Sequence, residues 1–197
     1  MTDGRAAAPL IGGVALLERA IGYTLGCLSL VTPAAMSRPT PCRAWDLRAL
    51  LGHMNDSLMA LQEASDLARV ELYTREAAER AAGGDPVAGL RYRARRLLGA
   101  WTRAGGDETI SIAGRPLLAS IVTSAGALEV AVHGWDVARA CGQDRPMPPL
   151  LAEELLELAP LLVSPADRPA RFAAPVHVSP LASASDLLLA YLGREPG

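Results

Sequence analysis

One helix-length stretch of this sequence is almost entirely apolar and yet carries three ionisable side chains. From Ala127 to Ala140 it reads ALEVAVHGWDVARA, which is typical of a buried helix. On a helical wheel, Glu129 and His133 lie about 40° apart on one face, and Asp136 falls between them in angle. Because buried carboxylates need partners, this stretch predicts a polar site inside a helical core.

The rest of the chain supplies the helices that such a core requires. Asp46 and Asp85 are predicted to cap helices, Pro86 suits a first helical turn, and Gly142 is placed to end a helix. We expect Gly22 and Gly26 to admit a neighbouring helix closely. The apolar periodicity predicts four long helices, over residues 10–30, 46–73, 85–103 and 117–141. A small hairpin is predicted over residues 105–116, and two shorter helices over residues 150–163 and 184–192.

Four long helices with one apolar face each indicate an all-α four-helix bundle, with its site built between facing helices. We predict that residues 1–142 form this bundle and that residues 143–197 form a short C-terminal extension, containing helices, packed on it.

Composition excludes several classes of partner. The net charge of -2 gives no sign of nucleic acid or of an anionic membrane surface as a partner. No stretch reaches the roughly 20 apolar residues of a membrane span. The three cysteines, Cys27, Cys42 and Cys141, are distant and odd in number, so we expect reduced thiols in a cytoplasmic protein.

A further histidine occupies a similar setting on the second predicted helix. His53 shares its column with the small residues Ala49, Ser57, Ala60 and Ala64. If this helix faces the fourth, His53 meets Glu129 and His133 across a lined cavity. Two imidazoles and a carboxylate form a three-ligand metal set with open positions, as in catalytic sites.

From spacing alone, however, an i, i+4 Glu–His pair is more often a solvent-facing pair than a metal site. Zinc is the first choice of metal, and iron, nickel or manganese also suit these donors. Asp136 is predicted either to accept a hydrogen bond from a ligand imidazole or to pair with an arginine such as Arg139 or Arg43.

Three motifs carry a family resemblance. PTPCRAWDLRALLGHM (39–54), LEVAVHGWDVARACGQD (128–144) and LLLAYLGREP (187–196) together resemble the mycothiol-dependent maleylpyruvate isomerase-like proteins of the DinB-like superfamily, in their short C-terminal form. The resemblance implies a four-helix bundle with a crossover connection. It also implies that His53, Glu129 and His133 bind a divalent metal, usually zinc, and that mycothiol serves as a thiol co-substrate.

The resulting hypothesis is a metal-dependent thiol transferase or isomerase acting on a small electrophilic metabolite. The alternatives are a hydrolase, lyase or isomerase that uses metal-activated water without a thiol, and a non-catalytic metal- or ligand-binding bundle. The maleylpyruvate reaction itself does not carry over, because the isomerase depends on a larger C-terminal domain. The sequence identifies no catalytic acid or base, and a homodimer is compatible with the fold.

Several other residues receive ordinary structural interpretations. The arginines of RYRARR (91–96) are predicted to form a solvated face, and His177 to be a surface or packing residue rather than a fourth ligand. Cys42, Trp45 and Trp135 are interpreted as packing residues, with Trp45 completing a hydrophobic staple before the second helix.

Overall fold

The computed structural model describes residues 13–42, 45–70, 85–101 and 108–196. Within these ranges the chain is predominantly helical, which confirms the all-α, DinB-like bundle predicted from the sequence. The helices are α1 (Gly13–Leu28), α2 (Leu47–Leu67), α3 (Pro86–Trp101), α4 (Ala119–Ala140), α5 (Pro149–Leu162) and α6 (Ala184–Tyr191). Their bounds lie within a few residues of the predicted ones, apart from α2, and the predicted ends at residues 10, 73 and 103 lie outside the described ranges.

The predicted helix signals act as expected. The Ala49 amide donates to the Asp46 side chain at 2.8 Å, and the Val87 amide donates to the Asp85 side chain at 2.9 Å. α2 ends earlier than its apolar pattern, because Ala68 takes a left-handed conformation. After α4, Gly142 adopts a φ of +75°, as its predicted role as a terminator requires.

The four long helices form a ring in the order α1, α4, α2, α3. α1 packs mainly on α4, and α2 packs on α3 and α4. The successive helices α1 and α2 are therefore not neighbours, and the segment between them crosses the bundle. α4 is buried along most of its length, which explains why its sequence is apolar on nearly all faces.

Close packing of α1 on α4 depends on a glycine of α4. A Cβ added at Gly134 would lie 2.4 Å from Thr24 Oγ1 and 3.2 Å from Thr24 Cα. The expectation that Gly22 and Gly26 admit a neighbouring helix is wrong. A Cβ added at Gly22 would have no atom within 4 Å, and a Cβ added at Gly26 would meet the Arg145 side chain rather than a helix. The helix pairing, which the sequence does not reveal, decides where the glycine is needed.

A small sheet lies beside the bundle. The predicted hairpin is present as β2 (Thr109–Ile112) and β3 (Arg115–Leu118), joined through Ala113 and Gly114, both with positive φ. A strand that the sequence did not predict, β1 (Arg69–Val70), pairs parallel to β2. Two residues are too few to show an alternating pattern.

The C-terminal helices pack on the bundle. α5 contacts α4 and α1, and α6 packs on α5. The Met147 amide donates to Ser185 Oγ at 3.3 Å, which ties the connection after α4 to α6. The division into units at residue 142 stays a prediction. Among the helices of the described ranges, none is long and apolar enough to cross a membrane.

Candidate metal centre

The three residues proposed as metal ligands converge between α2 and α4. His53 Nε2 lies 2.5 Å from Glu129 Oε1, and His133 Nε2 lies 3.3 Å from the same oxygen. One ligand atom from each residue falls within 4.8 Å of the others. The structure thus brings together two residues one helical turn apart and a third that is 76 positions away from Glu129.

This donor set is compatible with a divalent metal. Two ligands of one tetrahedral zinc, each about 2.0 Å from the ion, are roughly 3.3 Å apart, as His133 Nε2 and Glu129 Oε1 are here. The shorter His53–Glu129 contact is a direct hydrogen bond, which would lengthen around an ion. The side chains of His53 and Glu129 are about one-third exposed, at 35% and 32%, so the centre is accessible to a small molecule.

Asp136 fills both of the roles that the sequence left open. Its Oδ2 lies 2.9 Å from His133 Nδ1, and its carboxylate is fully buried. The arginine that pairs with it is Arg194, whose Nε and Nη2 donate to Oδ1 and Oδ2 at 3.2 Å and 2.9 Å. Arg139 instead lies over the Trp135 ring and near Asp144, and Arg43 lies outside the described residues.

The position of Arg194 follows from the glycine before it. Gly193 follows the end of α6 with a φ of +80°, and a Cβ there would lie 2.8 Å from the Ala173 carbonyl oxygen. Only glycine accepts both conditions without strain. The turn directs Arg194 into the bundle, where its side chain is 8% exposed, so the last motif of the sequence contributes to the centre.

Charge and hydrogen bonding define the protonation of the centre without a metal. Burial alone would lower the pKa of His133, but hydrogen bonds to Asp136 and Glu129 and their charges raise it to about 9. Burial would raise the pKa of Glu129, yet hydrogen bonds from His133 and His53 hold it well below its usual range. Burial also opposes ionisation of Asp136, but the Arg194 charge lowers its pKa overall.

The two carboxylates thus favour a protonated His133 imidazole when no metal is bound, with Nδ1 hydrogen-bonded to Asp136 and Nε2 3.3 Å from Glu129 Oε1. A metal ion would replace the Nε2 proton, while Asp136 would keep the other nitrogen protonated and the ring oriented.

Two further residues surround the ligands. The Trp45 ring centroid lies 4.5 Å from that of His53 and 6.1 Å from that of His133, so Trp45 is more than the helix staple that the sequence suggested. Ser57 Oγ donates to Glu129 Oε1 at 3.1 Å. Ser57 belongs to the small-residue column around His53, which was the one sequence signal for its placement.

The other candidate residues lie apart from the centre. His177 is exposed and does not belong to the ligand cluster. Arg95 and Arg96 are exposed as predicted, whereas Arg91 donates to the Leu28 carbonyl and Arg93 to Asn55 Oδ1. None of the three cysteines forms a disulfide with another described residue, and Trp135 is a core residue.

Comparison with known proteins connects this geometry to one family. Residues 17–138, more than half of the chain, match the family of mycothiol maleylpyruvate isomerase N-terminal domains. This match covers α1 to α4 almost completely and includes His53, Glu129, His133 and Asp136. Comparisons with curated proteins and with solved structures found no match.

Proposed function

Because the chain belongs to the mycothiol maleylpyruvate isomerase N-terminal domain family, we propose that it is a divalent-metal-dependent enzyme with mycothiol as its thiol co-substrate. In this proposal it transfers the thiol to, or isomerises, a small electrophilic metabolite. The observation that carries the proposal is the convergence of His53, Glu129 and His133 at one point, with Asp136 orienting the last of them.

Each residue has a defined task in this proposal. His53, Glu129 and His133 hold the ion. Zinc is the first choice, because two imidazoles and a carboxylate are typical zinc ligands. When bound, such an ion lowers the pKa of a thiol and stabilises the nucleophilic thiolate. Asp136 holds the Nδ1 proton of His133 and leaves Nε2 for the metal. Ser57 orients the Glu129 carboxylate by its hydrogen bond, and Trp45 covers one side of the His53 ring.

Metal content is the direct test. We expect the purified protein to bind one zinc ion per chain, measured by elemental analysis after titration and gel filtration. His53→Ala and His133→Ala should each reduce zinc binding strongly. His177→Ala is the matched control, because it removes the remaining histidine, which is exposed and outside the cluster. If His53→Ala and His133→Ala bind as much zinc as His177→Ala does, zinc does not bind at this site.

The thiol is tested separately. Calorimetric titration with mycothiol should give binding to the zinc-loaded protein and much weaker binding to the metal-free protein. Zinc binding without any mycothiol binding would reject the thiol-dependent reaction and favour the metal-activated water alternative or a non-catalytic bundle.

A further inference from the structure

The two histidines of the candidate metal centre are held in different ways. His133 is buried, and its Nδ1 is hydrogen-bonded to the buried Asp136 carboxylate at 2.9 Å. The His53 side chain is 35% exposed, and among the described residues the carboxylate that pairs with it is Glu129, at Nε2. One hydrogen bond restrains the position of Nε2 but not the tilt of the ring. The orientation of the His53 ring therefore depends on contacts with its faces and edges.

The Trp45 indole makes the closest of these ring contacts. Its centroid lies 4.5 Å from the centroid of the His53 ring, and the two planes are 35° apart, which is a tilted stack. The His133 ring meets the same imidazole nearly at a right angle, with centroids 5.1 Å apart and planes at 88°. Trp45 also lies 6.1 Å from His133. The three rings form one cluster, in which Trp45 is the member that is not a candidate ligand.

The loop before α2 fixes Trp45 independently of the candidate ligands. The Trp45 amide donates to the Cys42 carbonyl at 2.9 Å. The Trp45 carbonyl accepts from the Thr40 amide at 3.3 Å and from Thr40 Oγ1 at 2.9 Å, and Thr40 is buried. The indole packs against the core and is itself half-buried. A ring anchored in this way can restrain a more exposed neighbour.

We propose that Trp45 is a positioning residue of the candidate metal centre, which holds the His53 imidazole with Nε2 directed toward Glu129. It does for His53 what Asp136 does for His133. The effect on metal binding rests on the proposed function, whereas the restraint on the His53 ring rests on the ring contacts alone. Ordering an exposed side chain in advance removes an entropy cost that binding would otherwise carry. Trp45 thereby raises the affinity of the centre for its ion without being a ligand.

Two substitutions at Trp45 separate the ring contact from simple burial. Trp45→Phe keeps an aromatic plane beside His53, whereas Trp45→Leu keeps an apolar side chain before the Asp46 cap but no plane. We expect Trp45→Leu to lower zinc affinity about tenfold and Trp45→Phe to lower it less than about threefold, in competition with a chelating dye. Wild-type affinity in Trp45→Leu, or equal losses in both variants, would overturn the proposal.

Cobalt(II) distinguishes positioning from a general loss of stability. The visible absorption bands of bound cobalt report the geometry of its ligands. We expect these bands to shift in Trp45→Leu and to keep their wild-type positions in Trp45→Phe. Leu155→Ala is the control, because it destabilises a buried position of α5, a helix that supplies no residue of the centre. If the control shifts the bands as much as Trp45→Leu does, stability explains the effect and the proposal is wrong.

A measurement on the metal-free protein separates this proposal from the proposed function. Nuclear Overhauser effects between the carbon-bound ring protons of His53 and His133 report the orientation of the His53 ring. We expect them in the wild type and in Trp45→Phe, and expect their loss in Trp45→Leu. That pattern would support the positioning role even if zinc does not bind. Their absence from the wild type, or their persistence in Trp45→Leu, would overturn it even if zinc binds.

Discussion

Replacing Arg194 by Met removes a buried charge from the network behind the candidate metal centre. The substitution keeps an unbranched chain of similar length but deletes both hydrogen bonds to Asp136. Asp136 is fully buried and would be left with His133 as its charged partner. Breaking a buried ion pair by removing one partner lowers the free energy of unfolding by about 3–5 kcal/mol. That loss is a large share of the roughly 5–15 kcal/mol of a typical domain.

The measurement is urea unfolding of the metal-free protein, followed by far-UV circular dichroism. Arg171→Met is the control, because Arg171 is 78% exposed and lies 3.6 Å from Asp167, as a surface ion pair. We expect this control to change stability by less than about 1 kcal/mol. The slope of unfolding free energy against urea should be the same in both variants, so that the difference reflects stability.

A double variant identifies the cause. Adding Asp136→Asn to Arg194→Met removes the carboxylate charge that has lost its arginine, so the double variant should be less destabilised than the sum of the single variants, by about 1–3 kcal/mol. An Arg194→Met loss no greater than that of Arg171→Met, or strictly additive effects, would refute the view that a buried charge pair joins the C-terminal segment to the centre.

Three other outcomes follow from the same contacts. Gly134→Ala should destabilise the protein by about 1–3 kcal/mol in urea, because its Cβ would meet Thr24, whereas Gly22→Ala, with open space, should stabilise it by up to about 1 kcal/mol. Asp136→Asn should weaken zinc binding about 10- to 100-fold in a competition assay with a chelating dye, unless its bond to His133 has no influence on the ligand. Zinc at 100 times its dissociation constant should raise the free energy of unfolding by about 2.7 kcal/mol, and His53→Ala should abolish this gain.

The sequence predicted the elements of the fold well because their signals are local. Apolar residues at helical spacing, the caps Asp46 and Asp85, and the terminator Gly142 depend on neighbours within a few positions. α2 is the exception, since its apolar pattern continues past the left-handed residue that ends it. The two-residue strand β1 was missed because it is defined by pairing with β2 rather than by its own pattern.

The candidate centre was only partly predictable for the same reason. Glu129, His133 and Asp136 share one helix, so their spacing alone placed them together. His53 joined them at first through the family resemblance, and the ring order of the helices explains how it reaches them. Trp45 and Arg194 gave no sequence signal of a place at the centre, since nothing near them along the chain reveals what they contact.

By itself, then, the sequence determined an all-α bundle, a buried polar helix and the chemical type of three candidate ligands. The tertiary structure alone decided that Arg194, rather than Arg139, pairs with Asp136 and that Gly134, rather than Gly22, permits close helix packing. The physical reason is that hydrophobic periodicity reports which face of a helix is buried, whereas partners across the core depend on helix order and on where the chain returns after α6.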